Sequence, residues 1–365
     1  MKRLPARRHT YLAVIVVVLA VLVVALGLYT ARRFPGHKGQ GKDKATGADV
    51  TAVNAPPSVA DARKLIEQGD PRALDAWSAV LADAKLDKAS HGEAALQIGT
   101  LRAQPDPPDV AGATAAFKEA VAIAPGTTWA DKAMVALADL CIKAEKPEEA
   151  VEPLSAYRAN AKDPGLIKAK LGDVNIAVLF SPLVTEVPKC ETYTVQPGDS
   201  LAKIANTIYK KKTTVELLQE SNRITDPRLL QPGKQLKVVV DTFRIVVDKS
   251  DNTLTLFCGD TFIKEYPVGT GKFDMTPVGK FTIVSKEVDP MWKGIPFGDP
   301  RNILGTRWMK FSDEASKLLG YGIHGTTEPE TIGKHSSQGC VRMYNKDVEE
   351  LFKIVVEGTP VEIVD

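Results

Sequence analysis

Cysteine is scarce. The 365-residue chain has four, Cys141, Cys190, Cys258 and Cys340, with no Cys-x-x-Cys pair among them. That excludes a disulfide-built scaffold and a zinc ribbon, both of which need closely spaced thiols. One bridge, Cys190 to Cys258, stays open for an exported chain, because pairing is not readable from sequence. A charge surplus is missing as well: 47 Lys and Arg face 45 Asp and Glu, a net +2. The basic excess that a nucleic-acid partner draws on is therefore absent. Metal ligands are also short. Cys340, His324 and His335 offer three at a spacing that supplies no fourth, and neither metal nor cofactor is expected. A chain of this length holds about two or three domains.

One stretch has no charge at all. Tyr11 to Thr30 reads YLAVIVVVLAVLVVALGLYT, preceded by Lys2, Arg3, Arg7 and Arg8. As a helix it would rise about 30 Å, enough for a bilayer core, and it exceeds the apolar region of about 7–15 residues in a cleaved signal. The expectation is an uncleaved signal anchor, with residues 1–10 cytoplasmic and the rest of the chain single-pass and extracytoplasmic at the cell membrane. Arg32 and Arg33 beyond the span weaken the charge asymmetry behind that orientation. Residues 31–57, rich in Gly, Lys, Ala and Pro, have little to bury and read as a flexible linker.

From Ser58 to Leu179 the pattern turns alanine-rich and helical. Ala111 to Pro125 gathers Ala116, Phe117, Ala120, Val121 and Ile123 on one side and stops at Pro125-Gly126. Trp129 to Ala144 follows as a second amphipathic run, and Glu148 to Asn160 as a third that Pro153 is placed to interrupt. The region 58–179 is expected to be all-α. Its Ala116-Phe117…Ala120…Pro125 run resembles the second helix of a tetratricopeptide repeat, which implies either a protein partner on this region or a spacer. Cys141 on an apolar face reads as core.

Thr192-Tyr193-Thr194-Val195 alternates as a strand, Gln196-Pro197-Gly198-Asp199 turns out of it, and helices are expected over Leu201–Lys210 and Thr214–Ser221. Leu229 to Val238 supplies a turn and a returning strand. This βααβ order over residues 191–239 resembles a LysM domain, on Tyr193, Val195, Gly198-Asp199-Ser200-Leu201, Ile204-Ala205, Asn222, Leu230, Pro232-Gly233 and Leu236. The resemblance implies binding of N-acetylglucosamine-containing glycan strands through Gly198, Asp199, Ser200, Leu201, Ile224 and Thr225.

Residues 243–365 are strand-rich. Phe243–Val247 and Thr253–Phe257 flank an Asp-Lys-Ser-Asp-Asn turn, and glycine and proline punctuate further short strands, so a mainly-β sandwich or partly closed barrel is expected. Near its end lie Tyr321-Gly322-Ile323-His324-Gly325-Thr326 and His335-Ser336-Ser337-Gln338-Gly339-Cys340-Val341-Arg342-Met343. A thiol becomes a nucleophile when a base stands within hydrogen-bond reach, and facing segments can provide one.

Together with Val268-Gly269-Thr270-Gly271, Thr276-Pro277-x-Gly279-x-Phe281 and Asn302-x-Leu304-Gly305, these motifs occur in the order of the L,D-transpeptidase (YkuD-like) catalytic domain, which this third of the chain resembles. Many members carry His where this chain has Gln338, which leaves His324 as the base the signature offers. The resemblance implies a cysteine acyltransferase acting on peptidoglycan stem peptides. Cys340 would attack the carbonyl at the L-centre of diaminopimelate in a stem tetrapeptide, release D-Ala and pass the acyl group to an acceptor amine. His324 would be general base and acid, and Gly339, with the Gly339-Cys340 N–H groups, would form the turn and oxyanion site. Arg342, Ser337, Gly325 and Tyr321 would bind substrate, Arg342 by pairing with a carboxylate, and the Gly325 region would orient the histidine through a backbone carbonyl. An ion pair with His324 would draw the thiol pKa below its free value of about 8.5. Three rivals stay open: an L,D-carboxypeptidase, an enzyme attaching protein to peptidoglycan, and a wall-binding scaffold without turnover.

Overall fold

Side-chain caps set out the helical region. The structure, a computed structural model, describes residues 57–312 and 320–365, which belong to one compact unit, Pro56–Asp365. Ser58 closes a capping box with Asp61 at the start of α1 (Val59–Glu67). After α2 (Ala73–Ala82), the side chains of Asp87, Asp109 and Thr127 accept N–H groups at the starts of α3 (Lys88–Ala103), α4 (Val110–Ile123) and α5 (Thr128–Lys143). The run containing Pro153 forms 3₁₀ turns on either side of a short α6 (Val151–Tyr157), where the proline sits in the first turn and removes no helical bond. Asp163 caps α7 (Pro164–Leu179). Buried Asp131 accepts from the Tyr157 hydroxyl and the Lys162 and Asp163 N–H groups, which ties α5 to the start of α7.

The next module pairs β1 (Cys190–Thr194) antiparallel with β2 (Gln235–Val239). Between them lie α8 (Leu201–Lys203), which widens into a π turn at Ile204–Ile208 instead of running on to Lys210, and α9 (Val215–Ser221). Buried Lys237 on β2 donates to the carbonyls of Val178, Leu179 and Ser181 at 2.9–3.1 Å. It thereby satisfies the C-terminal end of α7, where carbonyls lack helical partners and a cation is favoured.

The C-terminal strands close a ring. β3 (Phe243–Asp248), β4 (Thr253–Cys258), β5 (Thr261–Gly271), β6 (Gly279–Val288), β7 (Arg307–Ser312), β8 (Gly322–His324), β9 (His335–Ser337), β10 (Val341–Met343) and β11 (Pro360–Val364) run in the order β10-β8-β7-β6-β11-β3-β4-β5-β9. β10 also pairs with β5, so the sheet is a closed barrel with β9 added at the seam. α10 (Asn345–Ile354) lays Val348, Leu351 and Phe352 into the core, the i, i+3, i+4 stripe of a half-buried helix. That core also takes Ile176 and Leu179 from α7 and Leu217 from α9. Lys168 pairs with Glu265, and the Asn175 amide donates to the Phe262 and Ile263 carbonyls, so α7 lies along β5.

The expected cell-membrane placement needs correction. Among the described residues no helix is long and apolar enough to cross a membrane. The longest, such as α3, have 16 residues, about 24 Å at 1.5 Å per residue, short of a core of about 30 Å. The anchor expected at Tyr11–Thr30 lies outside the described residues. Cys190 and Cys258 are separate thiols, one half-buried and one buried.

Candidate active site

The barrel seam brings the two C-terminal motifs together. β8 and β10 run parallel, with Val341 beside Ile323 and Arg342 beside His324. Side chains alternate along a strand. Val341 and Ile323 therefore enter the core, while His324, Arg342 and, two positions before it, Cys340 share the opposite face. Trp308 on β7, paired with His324 on β8, lays its ring 5.7 Å from the imidazole at 35°.

His324 is buried, and its Nδ1 stands 2.6 Å from the Gly325 carbonyl oxygen. A carbonyl only accepts, so this contact is made by the Nδ1–H tautomer, in which Nε2 carries the lone pair of a base. Burial pulls the imidazole pKa down to about 4; the Gly325 carbonyl opposes this, the Arg342 charge adds to it, and the Leu304 carbonyl opposes it as well. Asn345, at the first position of α10, fixes that carbonyl. Its Oδ1 accepts the Thr326 N–H at 3.0 Å and occupies the place a side chain at Gly325 would need. Gly325 therefore contacts the histidine and Asn345 and presents no side chain to a substrate.

Cys340 is half-buried, its Sγ 3.4 Å from the Gly320 carbonyl. Burial raises its thiol pKa, against the opposing pull of the Gly322 N–H and the Arg342 charge. The depressed thiol expected from an ion pair is thus reversed: the histidine resists protonation and the thiol resists ionisation, so at rest both are neutral.

The loop before Cys340 is stapled from inside. The buried Ser337 hydroxyl donates to the Cys340 carbonyl at 2.6 Å and accepts the Gly339 N–H at 3.0 Å. Ser337 is therefore a loop clamp with its one proton committed inside the loop, and the Gly339 N–H donates to Ser337 instead of standing open to an oxyanion as expected. Gly339 has φ +115°, and a Cβ there would lie 2.5 Å from Tyr321 Cε1 and 2.8 Å from the Met275 carbonyl oxygen. Tyr321 thus covers the loop. Buried Thr276 donates to the Gly339 carbonyl at 3.0 Å and accepts the Gly271 N–H, which explains the Thr276-Pro277 motif in local terms. Gln338 is exposed. His335 turns away, its Nδ1 2.7 Å from the Thr270 hydroxyl.

Sequence comparison bears on this barrel and the module before it. The L,D-transpeptidase catalytic domain model matches residues 242–363, and the LysM domain model residues 193–239. The Bacillus licheniformis protein YkuD, named an L,D-transpeptidase, is 36% identical over 178 residues, covering 47% of this chain and 97% of that protein. The chain belongs to the L,D-transpeptidase family. Bacillus subtilis YqjB, with the same family name, is 40% identical over 124 residues, covering 33% of this chain and 70% of its own. A solved L,D-transpeptidase from Mycobacterium smegmatis aligns at 20% identity with a TM-score of 0.30, covering 36% of this chain and 64% of that one.

In this transpeptidase the LysM positions fare unevenly. Gly198, Ser200 and Thr225 are exposed. Leu201 and Ile224 lie in the module's core, which leaves only their backbone for a ligand. Asp199 accepts from Lys203, the Tyr193 hydroxyl and the Gln196 N–H, and these donors, Lys203 foremost, hold its carboxyl pKa down at about 2. It is a turn clamp, with three donors from its own module on the carboxylate. Sequence reasoning missed Trp308, Asn345 and Glu328. Strand alternation opposite His324 could have pointed to Trp308, and the helix start just past Met343 to Asn345. Glu328 gave no signal.

Proposed function

We propose that Cys340 is the nucleophile and His324 the general base and acid of a peptidoglycan L,D-transpeptidase, with domains at 58–179, 191–239 and 243–365. The observation that carries the assignment is the Nδ1-to-Gly325 contact, which leaves Nε2 basic on the face that Cys340 shares. Because both groups rest neutral, the thiol proton passes to Nε2 as sulfur attacks the carbonyl carbon at the L-centre of diaminopimelate. The oxyanion is assigned to the Cys340 N–H, and losing such a donor typically costs about 3–4 kcal/mol of barrier. When the C–N bond breaks, the histidine proton goes to the leaving D-Ala amine and a thioester remains. An acceptor amine then gives its proton to Nε2, attacks the thioester, and the thiol is restored.

In this reading the LysM module holds the glycan strand through the Gly198–Leu201 and Ile224–Pro227 backbone, and the helical region acts as a buttress through α7. Cys340→Ala is expected to abolish cross-linking of stem peptides while glycan binding persists. Turnover by the purified Cys340→Ala protein equal to that of the wild type would sink the mechanism.

A further inference from the structure

Arg342 is incompletely satisfied. It is 8% exposed, yet among the described residues its one charged partner is Glu328, at 2.9 Å from Nη1. Its Nε is buried and has no acceptor among the described residues. A guanidinium has five N–H donors in a planar fork that matches a carboxylate two bonds at a time, and a buried donor without a partner calls for an explanation. Glu328 takes one corner of the fork only. Its side chain is 48% exposed, on the loop whose Thr326 hydroxyl accepts the Glu328 N–H and whose Thr331 hydroxyl donates to the Glu328 carbonyl. The backbone there is held while the carboxylate is free to swing into water. Arg342 also stands beside His324 on the strand pair and one position beyond the neighbour of Cys340, so an anion bound to it lies next to the reacting groups.

We propose that Glu328 is a placeholder for a substrate carboxylate, and that it makes this transpeptidase select donors bearing a free carboxylate beside the scissile bond. The donor carboxylate displaces Glu328 and takes the fork that Glu328 covers in part. An amidated donor cannot make the exchange, because a neutral amide returns too little to replace an ion pair. Two carboxylates of the stem tetrapeptide share this chemistry: that of the leaving D-Ala, and that on the side chain of diaminopimelate. The inference rests on the functional reading above.

The test is binding of free tetrapeptide, measured by calorimetry on Cys340→Ala and on Cys340→Ala with Glu328→Gln, so that turnover is not required. Three ligands are compared: the unmodified peptide, one amidated at D-Ala, and one amidated at the diaminopimelate side chain. Glu328, the member of the pair on the water side, is 48% exposed, which keeps the pair near the surface range of about 0.2–1 kcal/mol. Removing it as a competitor is expected to tighten the unmodified peptide by about 1.4- to fivefold. Whichever amidated peptide has lost the relevant carboxylate gains nothing from Glu328→Gln, and this identifies the source. Equal tightening of all three peptides, no tightening, or weaker binding would each overturn the inference. Wild-type turnover decides the functional reading separately: cross-linking with no Glu328 effect refutes the placeholder alone, whereas binding without any turnover refutes the mechanism alone. A peptide that binds none of the proteins refutes both.

Discussion

His324 makes the stability of the barrel depend on pH in a calculable way. Its imidazole titrates near 6.5 in an unfolded chain and at about 4 in the fold, where burial is the main cause. The folded state therefore binds fewer protons between these values, and stability falls as pH drops from about 6.5 to about 4. At about 1.4 kcal/mol for each tenfold in proton affinity, the full effect is about 3 kcal/mol, lost below pH 4 and fully present above 6.5. Carboxylates also titrate in this window, so the comparison is between wild type and His324→Asn, which share them. Urea unfolding at pH 7.5 and pH 4.5 reads it: wild type is expected to lose about 2–3 kcal/mol more than the variant on acidification. A gap between the two proteins that stays the same at both pH values would refute the buried neutral histidine, and with it the neutral resting pair.

Gly339→Ala combines a left-handed backbone at φ +115° with collisions against the Tyr321 ring and the Met275 carbonyl. It is expected to cost about 2–5 kcal/mol, read as a fall in thermal midpoint, and an unchanged midpoint would mean that the loop is free to move. Lys237→Met takes a donor from the Val178, Leu179 and Ser181 carbonyls; Val178 keeps the Ser181 N–H and hydroxyl, so the cost is about 1–3 kcal/mol for each of the other two that stays buried and unpaired. Faster tryptic cleavage between α7 and β1 is the expected readout, and wild-type cleavage rates would count against the anchoring role of Lys237.

The motifs made the barrel legible because its short strands alternate between core and solvent, and because the spacing of Thr276, Asn302, His324 and Cys340 follows a family pattern. What pattern could not supply was the destination of polar atoms. Ser337 and Asp199 read as ligand-facing residues, but their oxygens close internal turns. Leu201 and Ile224 read as groove residues, but hydrophobic burial in a module this small claims nearly every large apolar side chain. The thiol was read with the wrong sign for the same reason: a neighbouring histidine suggests an ion pair, whereas desolvation of both groups is a property of the folded environment. Glu328 was invisible because its partner is 14 residues away and meets it only after the barrel closes.

The sharing of Ile176, Leu179 and Leu217 with the barrel interior bears on autonomy. The span recognised by its motifs, beginning near Phe243, does not contain its whole interior, because part of that interior arrives from earlier in the chain. A fragment cut at that boundary would expose the apolar surface these three side chains cover and would be prone to self-association. A piece that keeps this interior intact begins upstream of Pro164, where α7 starts. The order of synthesis follows the same dependence: the helix that completes the barrel has left the ribosome before the first barrel strand is made.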